Sequence, residues 1–299
     1  MYQYSSGKQL LDLCNSQGKN IDEIALLAET ENSGKEKEQV IAWLNEELEV
    51  MRDSVHKGLD PGIKSVGGLI GGNSYRLQMR LQSGDSLLGN TLLKALSYAL
   101  AVTEVNAAMG KIVAAPTGGA SGIIPGIILA LQEEKSYSDK QLLGALLTAG
   151  AIGKIIATNA SLSGAEGGCQ AECGSASAMA ASAAVFLAGG SPDQCLQAAA
   201  MALKGLLGLV CDPVAGLVEV PCSKRNASST ANALACAEMA LAGIKSFIPF
   251  DEVVEAMLRV GRLMSPDLKE TASGGCAATP TAQKFSRMIH ISDLNESIG

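Results

Sequence analysis

Between Gln141 and Leu203 only Lys154, Glu166, Glu172 and Asp193 carry a charge. Helices cut from such a stretch have no polar face to turn to water, so they must be buried on nearly all sides and form the centre of the molecule. The rest of the chain has to wrap them. A chain of 299 residues, 47% of them hydrophobic, is long enough to bury a large core in one or two domains. Only 3% of the residues are aromatic, and Ala, Gly, Leu and Ser dominate. That composition favours close-packed helices with small residues at their contacts over an aromatic-rich sandwich of sheets, and the expected class is all-α.

The apolar run from Cys173 to Pro192 contains no charged residue and invites a membrane reading. It is mostly Ala, Ser and Gly, however, and it ends in the turn-like Gly189-Gly190-Ser191-Pro192. It lacks the sustained Leu, Ile and Phe content of a spanning helix, so a buried core helix is expected and no membrane partner. Charge is concentrated elsewhere: residues 1–60 hold 18 of the 53 charged residues and a net of −6 out of −7. No basic patch with interleaved aromatics occurs, so the electrostatic footprint of nucleic-acid binding is missing. Small molecules or protein are the expected partners. The polar start of the chain lacks the pattern of a secretory signal, so a cytoplasmic location is expected.

Residues 8–57 read as two or three amphipathic helices, broken near Gly18 and near Asn32-Ser33-Gly34, with Trp43, Leu44 and Leu48 on one face of the last. This gives an outer helical layer, residues 1–57, packed on a main domain, residues 58–299. Residues 60–73 are too rich in glycine for regular structure. A helix is expected over about 87–109, then an apolar run at 112–115, a glycine-bearing turn at 117–122, and a further apolar stretch to Leu131. Asp139 is expected to cap the next helix. Near the end, an amphipathic helix over 251–264 is expected with Asp251 as its N-cap and Val254, Leu258 and Leu263 inward, followed by a loop over 265–276.

Eight cysteines in a reducing compartment point to metal ligation, catalysis or packing and away from a disulfide framework. Four of them lie in or beside polar, glycine-bearing segments of the buried centre: Cys169 and Cys173, then Cys211 and Cys222 flanking 212–221. Polar backbone in a core is costly unless satisfied, and functional sites are where such irregularity is retained. Structural zinc sites use short paired knuckles at both ends, and here the second pair is ten residues apart. Spacing alone leaves an iron–sulfur site, a zinc site and plain core thiols all open.

Several segments narrow this choice by resemblance. Asn159-Ala160-Ser161-Leu162-Ser163-Gly164-Ala165-Glu166, Gly168-Cys169-Gln170, Cys211-Asp212-Pro213-Val214 and Val220-Pro221-Cys222 with Arg225-Asn226 are similar to the iron–sulfur L-serine dehydratase family. So are Ala115-Pro116-Thr117-Gly118-Gly119-Ala120-Ser121-Gly122-Ile123-Ile124-Pro125 and Lys269-Glu270-Thr271-Ala272-Ser273-Gly274-Gly275, and the likeness covers roughly residues 50–285. The resemblance implies a compact helical catalytic domain with Gly-rich buried loops around a metal cluster. It implies that Cys169, Cys211 and Cys222 hold three irons of a 4Fe-4S cluster, the fourth iron being left for L-serine. Cys173 falls outside that ligand set and is expected to be a neighbour about one helical turn after Cys169.

Thr117, Gly118, Gly119 and Ser121 precede an apolar helix, and their segment is expected to cradle the substrate carboxylate with backbone N–H groups. Glu166 is the expected partner of the substrate ammonium. Asn159, Ser161, Ser163, Arg225 and Asn226 are polar candidates around cluster and carboxylate, or else residues that satisfy buried loop backbone. No catalytic base is identified. Members of the family either carry an additional domain with histidines in the same chain or place it on a separate beta subunit. The motif Ser-Ser-His-Thr of that domain is absent here, so a beta subunit is the expected protein partner. Single-chain members can bring a C-terminal cysteine to the open iron, and residues 295–299 contain none. Three rival readings stay open: a pyridoxal-phosphate dehydratase using Lys154 or Lys204, a cluster-dependent cysteine desulfidase, and a metal-stapled sensor without turnover.

Overall fold

The computed structural model describes residues 2–296, with side chains up to residue 289, and the described residues contain helices and no strands. Of the tail 295–299, on which an expectation rests, residues 297–299 lie outside the described residues. Helices α1 (Gly7–Gln17), α2 (Ile21–Ser33) and α3 (Lys37–Gly58) come first, then α4 (Asn73–Gln82), α5 (Gly89–Ala107), α6 (Ile123–Lys135) and α7 (Asp139–Asn159). The short α8 (Gly164–Gly167) follows, then α9 (Ser175–Leu187), α10 (Pro192–Lys204), α11 (Cys222–Leu241), α12 (Phe250–Leu263) and α13 (Pro280–Glu296).

The segment SASAMAASAAVFL becomes α9, with all but one of its residues buried. Its small side chains let α7, α10, α11 and α6 approach from different sides, which is how a helix with no polar face is buried on all sides. Its serines find acceptors on neighbouring backbones: Ser177 donates to the Ser229 carbonyl at 3.0 Å and Ser182 to that of Cys195 at 2.8 Å. The same economy of size operates where α3 and α6 cross α5. A methyl group at Gly58 would stand 2.1 Å from the Ala101 carbonyl oxygen, and one at Gly126 would stand 2.8 Å from that of Ala95. Helix α7 is the one described helix long and apolar enough by composition to cross a membrane, and 61% of that window is buried inside the molecule.

The outer layer is three helices, ended by Gly18 and Gly34 in the left-handed conformation, where glycine carries no side-chain penalty. Buried residues of this layer, among them Leu10, Ile21, Ile24 and Leu48, belong to the same core cluster as those of α6, α7 and α9. Trp43, expected on the face of Leu48, is instead 51% exposed at the rim of a groove, whereas Leu48 is fully buried.

Three expected details differ. Ser138, and not Asp139, is the N-cap of α7; its hydroxyl and Gln141 form a capping box, leaving Asp139 free to pair with Arg52 of α3. Helix α12 starts at Phe250 behind Pro249, so Asp251 lies inside the first turn. Its carboxylate instead accepts from the Gly7 and Lys8 amides at 2.6 and 3.0 Å, capping α1 from a distance of more than two hundred residues in sequence. Leu263 is 87% exposed, and the inward positions of α12 are Phe250, Val253, Val254, Met257 and Gly261.

Because Asp251 supplies acceptors that α1 cannot supply for itself, Asp251→Ala is expected to cost about 1 kcal/mol and to lower the unfolding midpoint by about 2–4 °C. Thermal unfolding followed by circular dichroism checks this; a midpoint unchanged within error would show that α1 is held by its buried face alone.

Candidate active site

Two segments without long helices, 160–174 and 205–221, are folded into the core between α7, α9 and α11. The first carries Cys169 and Cys173, the second Cys211, and Cys222 opens α11; all four are buried. Residues Gln170–Gly174 form a single wide π-helical turn, which places the Cys173 sulfur 3.4 Å from that of Cys169. The expected neighbour relation is therefore present, on a π turn in place of an α-helix. Cis peptide bonds precede Pro116 and Pro221, at the entries to the glycine turn and to α11.

Asn226 ties these pieces together. One turn into α11, it is fully buried; its Oδ1 accepts from the Gly122 amide at 3.0 Å, and its Nδ2 donates to the carbonyls of Gly119 (2.7 Å) and Cys222 (3.0 Å). The glycine turn is thereby fixed against the helix that begins with a cysteine. The turn itself is a 3-10 element, Gly118–Ala120, braced by Ser121, whose hydroxyl donates to Gly118 at 2.8 Å. The Gly122 amide is occupied by Asn226, while those of Gly118 and Gly119 have no acceptor among the described residues.

The carboxylate beside this turn belongs to Glu172. Its Oε1 accepts from the Thr117 hydroxyl at 2.6 Å and its Oε2 lies 3.9 Å from the Cys211 sulfur. A methyl group at Gly119 would meet Glu172 at 2.8 Å, and one at Gly164 would meet Glu172 at 2.7 Å and the Cys211 sulfur at 3.1 Å. These glycines are present because another backbone, carboxylate or sulfur occupies the space a side chain would need. Sequence reasoning passed over Glu172 in favour of Glu166. The available signal was its place among four charges in an apolar stretch and its position next to Cys173.

Glu166 is exposed and accepts from the Ser161 hydroxyl. With Ser161, Met257 and Arg262 it lines a separate cavity of about 240 Å³ against α12. Asn159 points away from the cysteines; its Nδ2 donates to the carbonyls of Ser5 (2.7 Å) and Ile155 (2.8 Å). The Ser163 carbonyl accepts from the Glu166 and Gly167 amides, so it starts α8. Of the expected polar residues, then, Thr117, Gly118, Gly119, Ser121, Arg225 and Asn226 gather with the cysteines, and Asn159, Ser161 and Glu166 do not.

Arg225 braces the second loop. Its guanidinium pairs with Asp212 at 2.6 Å and donates to the Val210 carbonyl at 2.7 Å, while Asp212 also accepts from the Cys276 amide at 2.5 Å. Cys211 pairs by backbone with residues 268–270, its amide to Leu268 and its carbonyl to Glu270. Segment 265–276 is thus drawn against the cysteine loop. Glu219, 2% exposed, does the same for residues 65–69 through the Ser65 hydroxyl and the Gly67 and Leu69 amides at 2.6–3.0 Å.

Electrostatics couple these groups. Burial pushes the Cys211 thiol far up, with Cys169, Glu172, Glu270 and Cys222 adding to it. Burial raises Cys222 to about 12, reinforced by Cys169 and Glu172 and opposed by Arg225. The hydrogen bond with Cys169, then burial, raise Cys173, and the same bond holds Cys169 below the ordinary thiol value. Burial also raises Glu172. Cys169 and Glu172 disfavour ionisation of both Cys211 and Cys222, and added positive charge would relieve that repulsion. Among the described residues no group of three His, Cys, Asp or Glu side chains is close enough to hold a metal ion.

The two lysines of the pyridoxal-phosphate rival lie away from the cysteines. Lys204 donates to Ser246, and Lys154 lies over the Tyr4 ring in the outer layer. Among the described side chains the one histidine, His56, lies on α3 in a pocket with Arg52 and Tyr98.

Comparison with known proteins places most of the chain in one family. The sequence profile described as "Serine dehydratase alpha chain" matches residues 16–277. A probable L-serine dehydratase alpha chain of Bacillus subtilis (strain 168) is 49% identical over 94% of this chain and 94% of its own length. The L-serine dehydratase alpha chain of Peptoniphilus asaccharolyticus is 44% identical over 95% of this chain and 97% of its own. A longer relative, L-serine dehydratase TdcG of Escherichia coli (strain K12), is 36% identical over 92% of this chain but only 62% of its own length.

If Asn226 fixes the glycine turn to α11, Asn226→Ala leaves a buried amide and a buried carbonyl without partners, at about 1–3 kcal/mol. Urea unfolding is expected to report that loss, and hydrogen exchange is expected to quicken at residues 117–122; unaltered exchange there would mean that the turn holds its shape without the bridge.

Proposed function

Because the chain belongs to the serine dehydratase alpha chain family, we propose that it is the catalytic chain of an L-serine dehydratase. In this reading a 4Fe-4S cluster held by Cys169, Cys211 and Cys222 serves the elimination of water from L-serine, giving pyruvate and ammonia. One observation carries it: three buried cysteines from separate segments, each feeling the charge of Glu172, lie beside a turn with two free amides. That donor set suits a polynuclear thiolate-bound cluster better than one ion. When bound, the cluster supplies a Lewis-acidic iron that stabilises the hydroxide leaving the β-carbon.

The protein's own groups then have separate tasks. The free amides of Gly118 and Gly119 are available to the substrate carboxylate, and Glu172 stands beside them for its ammonium, the role expected of Glu166. Glu172 also holds the Thr117 hydroxyl and so fixes the turn. Asn226 and Arg225 orient loops and touch no substrate. The elimination breaks the Cα–H and Cβ–O bonds, the α-proton going to a base and the oxygen leaving as hydroxide. The 2-aminoacrylate released tautomerises and is hydrolysed to pyruvate and ammonia, with no net redox change.

No described histidine stands near the cysteines, and an imidazole is the usual group for proton transfer near neutral pH. This supports a second subunit, of the beta type, that completes the site. The length of the Escherichia coli relative beyond the matched region is consistent with that division.

Cys169→Ala, Cys211→Ala and Cys222→Ala are each expected to abolish cluster assembly and turnover, and Cys173→Ala to keep most of both. Iron and sulfide analysis with anaerobic pyruvate formation checks this, and full cluster content in any of the first three variants would remove that residue from the ligand set. Supplying L-cysteine and measuring sulfide release separates the desulfidase reading. At equal cluster content, turnover is expected to rise at least tenfold when the beta partner is added.

A further inference from the structure

Helices α2, α3 and α7, with the segment before α1, line a cavity of about 360 Å³ that takes no part in the chemistry above. Its walls include Ala28 of α2, Val40 and Trp43 of α3, and Leu146 of α7, with Tyr4 from the segment before α1. Lys154 of α7 also lines it. The Lys154 amine is buried, has no hydrogen-bond or ion-pair partner, and sits 4.5 Å from the centroid of the Tyr4 ring. An ammonium with only a ring face for company has lost its water without a replacement anion. Glu29 stands at the exposed rim of the same cavity.

We propose that this cavity binds a small carboxylate with an apolar body, the size of an aliphatic amino acid or short acyl acid, its carboxylate paired with Lys154. The volume is at the low end for small-molecule sites, and the walls are apolar apart from the amine at the floor and Glu29 and Asn32 at the rim. A second groove of about 450 Å³ continues past Trp43 and Leu146 to residues 112–116, which lead into the glycine turn. The floor is also joined to the cysteines. Helix α7 ends at Asn159, whose amide donates to the carbonyl of Ser5, next to Tyr4, and the chain then runs through 160–168 to Cys169. A ligand drawn under the Tyr4 ring therefore stiffens the segment that carries the cysteine. The proposal is independent of which reaction the site performs.

Trp43 is the only tryptophan of the chain, so its emission reports on the cavity with or without a cluster. The probes are L-leucine, 4-methylpentanoate and 3-methylbutylamine. Both carboxylates are expected to shift the emission saturably and to slow hydrogen exchange at residues 160–168, and the amine to do neither. Tighter binding of L-leucine than of 4-methylpentanoate assigns the ligand to the amino acids, with Glu29 reading the ammonium; the reverse order assigns it to plain acyl acids. Lys154→Met is expected to weaken binding at least tenfold, or about 1.4 kcal/mol, and Lys154→Arg to restore it. Gly150 faces the cavity, and a side chain added there meets nothing within 4 Å. Gly150→Leu is therefore expected to fold normally and to abolish the titration. Silence of both carboxylates up to about 10 mM, equal binding of the amine, or wild-type titration of either Lys154→Met or Gly150→Leu would overturn the proposal.

Discussion

With a single amide Asn226 makes three hydrogen bonds that the backbone around it cannot make for itself. A glycine turn and the first turn of a helix meet at the centre of an otherwise apolar bundle, where an unpaired amide or carbonyl costs about 1–3 kcal/mol. Glutamine would place the amide group one methylene further out, and aspartate would lose the donor. Glu219 performs the same service for residues 65–69, Glu104 for Asn73 and Ser74, and Asp212 for Cys276. Irregular backbone survives in this core because buried side chains replace the hydrogen bonds of regular structure.

These replacements are mostly acidic, and that has an electrostatic result. Carboxylates spent on backbone amides are compensated locally by the amide dipoles, whereas Glu172 accepts from the Thr117 hydroxyl and lies against the Cys211 sulfur. Arg225 is the nearby cation, and it is engaged by Asp212. The centre thus gathers acidic groups in a dry place, where burial and their neighbours push Cys211, Cys222 and Glu172 toward the neutral form. The small residues of α9 and the glycines at 119 and 164 make the room.

The outer layer is tied on at its ends. Asp251 closes the start of α1, Asn159 reaches the Ser5 carbonyl, and Arg52 joins α3 to the first turn of α7. Between those ties the packing is incomplete, which leaves the grooves on either side of Trp43. Helix α7 serves both regions, its middle lining the outer cavity and its end delivering the chain to Cys169.

What the amino-acid order determined by itself was the class and the centre. Four charges between Gln141 and Leu203 leave no option but buried helices, and Gly18 and Gly34 end helices wherever those helices come to lie. The motifs around Cys169, Cys211 and Cys222 pointed to the family through local pattern alone. Tertiary structure decided which polar residues gather with the cysteines and which face elsewhere. Glu166 and Glu172 are six residues apart, yet the π turn at 170–174 sends one inward to Thr117 and Cys211 while the other faces solvent. Asp251 looked like the cap of its own helix and became the cap of another, because a carboxylate serves whichever free amides the packing brings near. Local sequence carries periodicity and turn chemistry, both of which act over a few residues; the partner of a hydrogen bond spanning a hundred residues is set only when the helices pack.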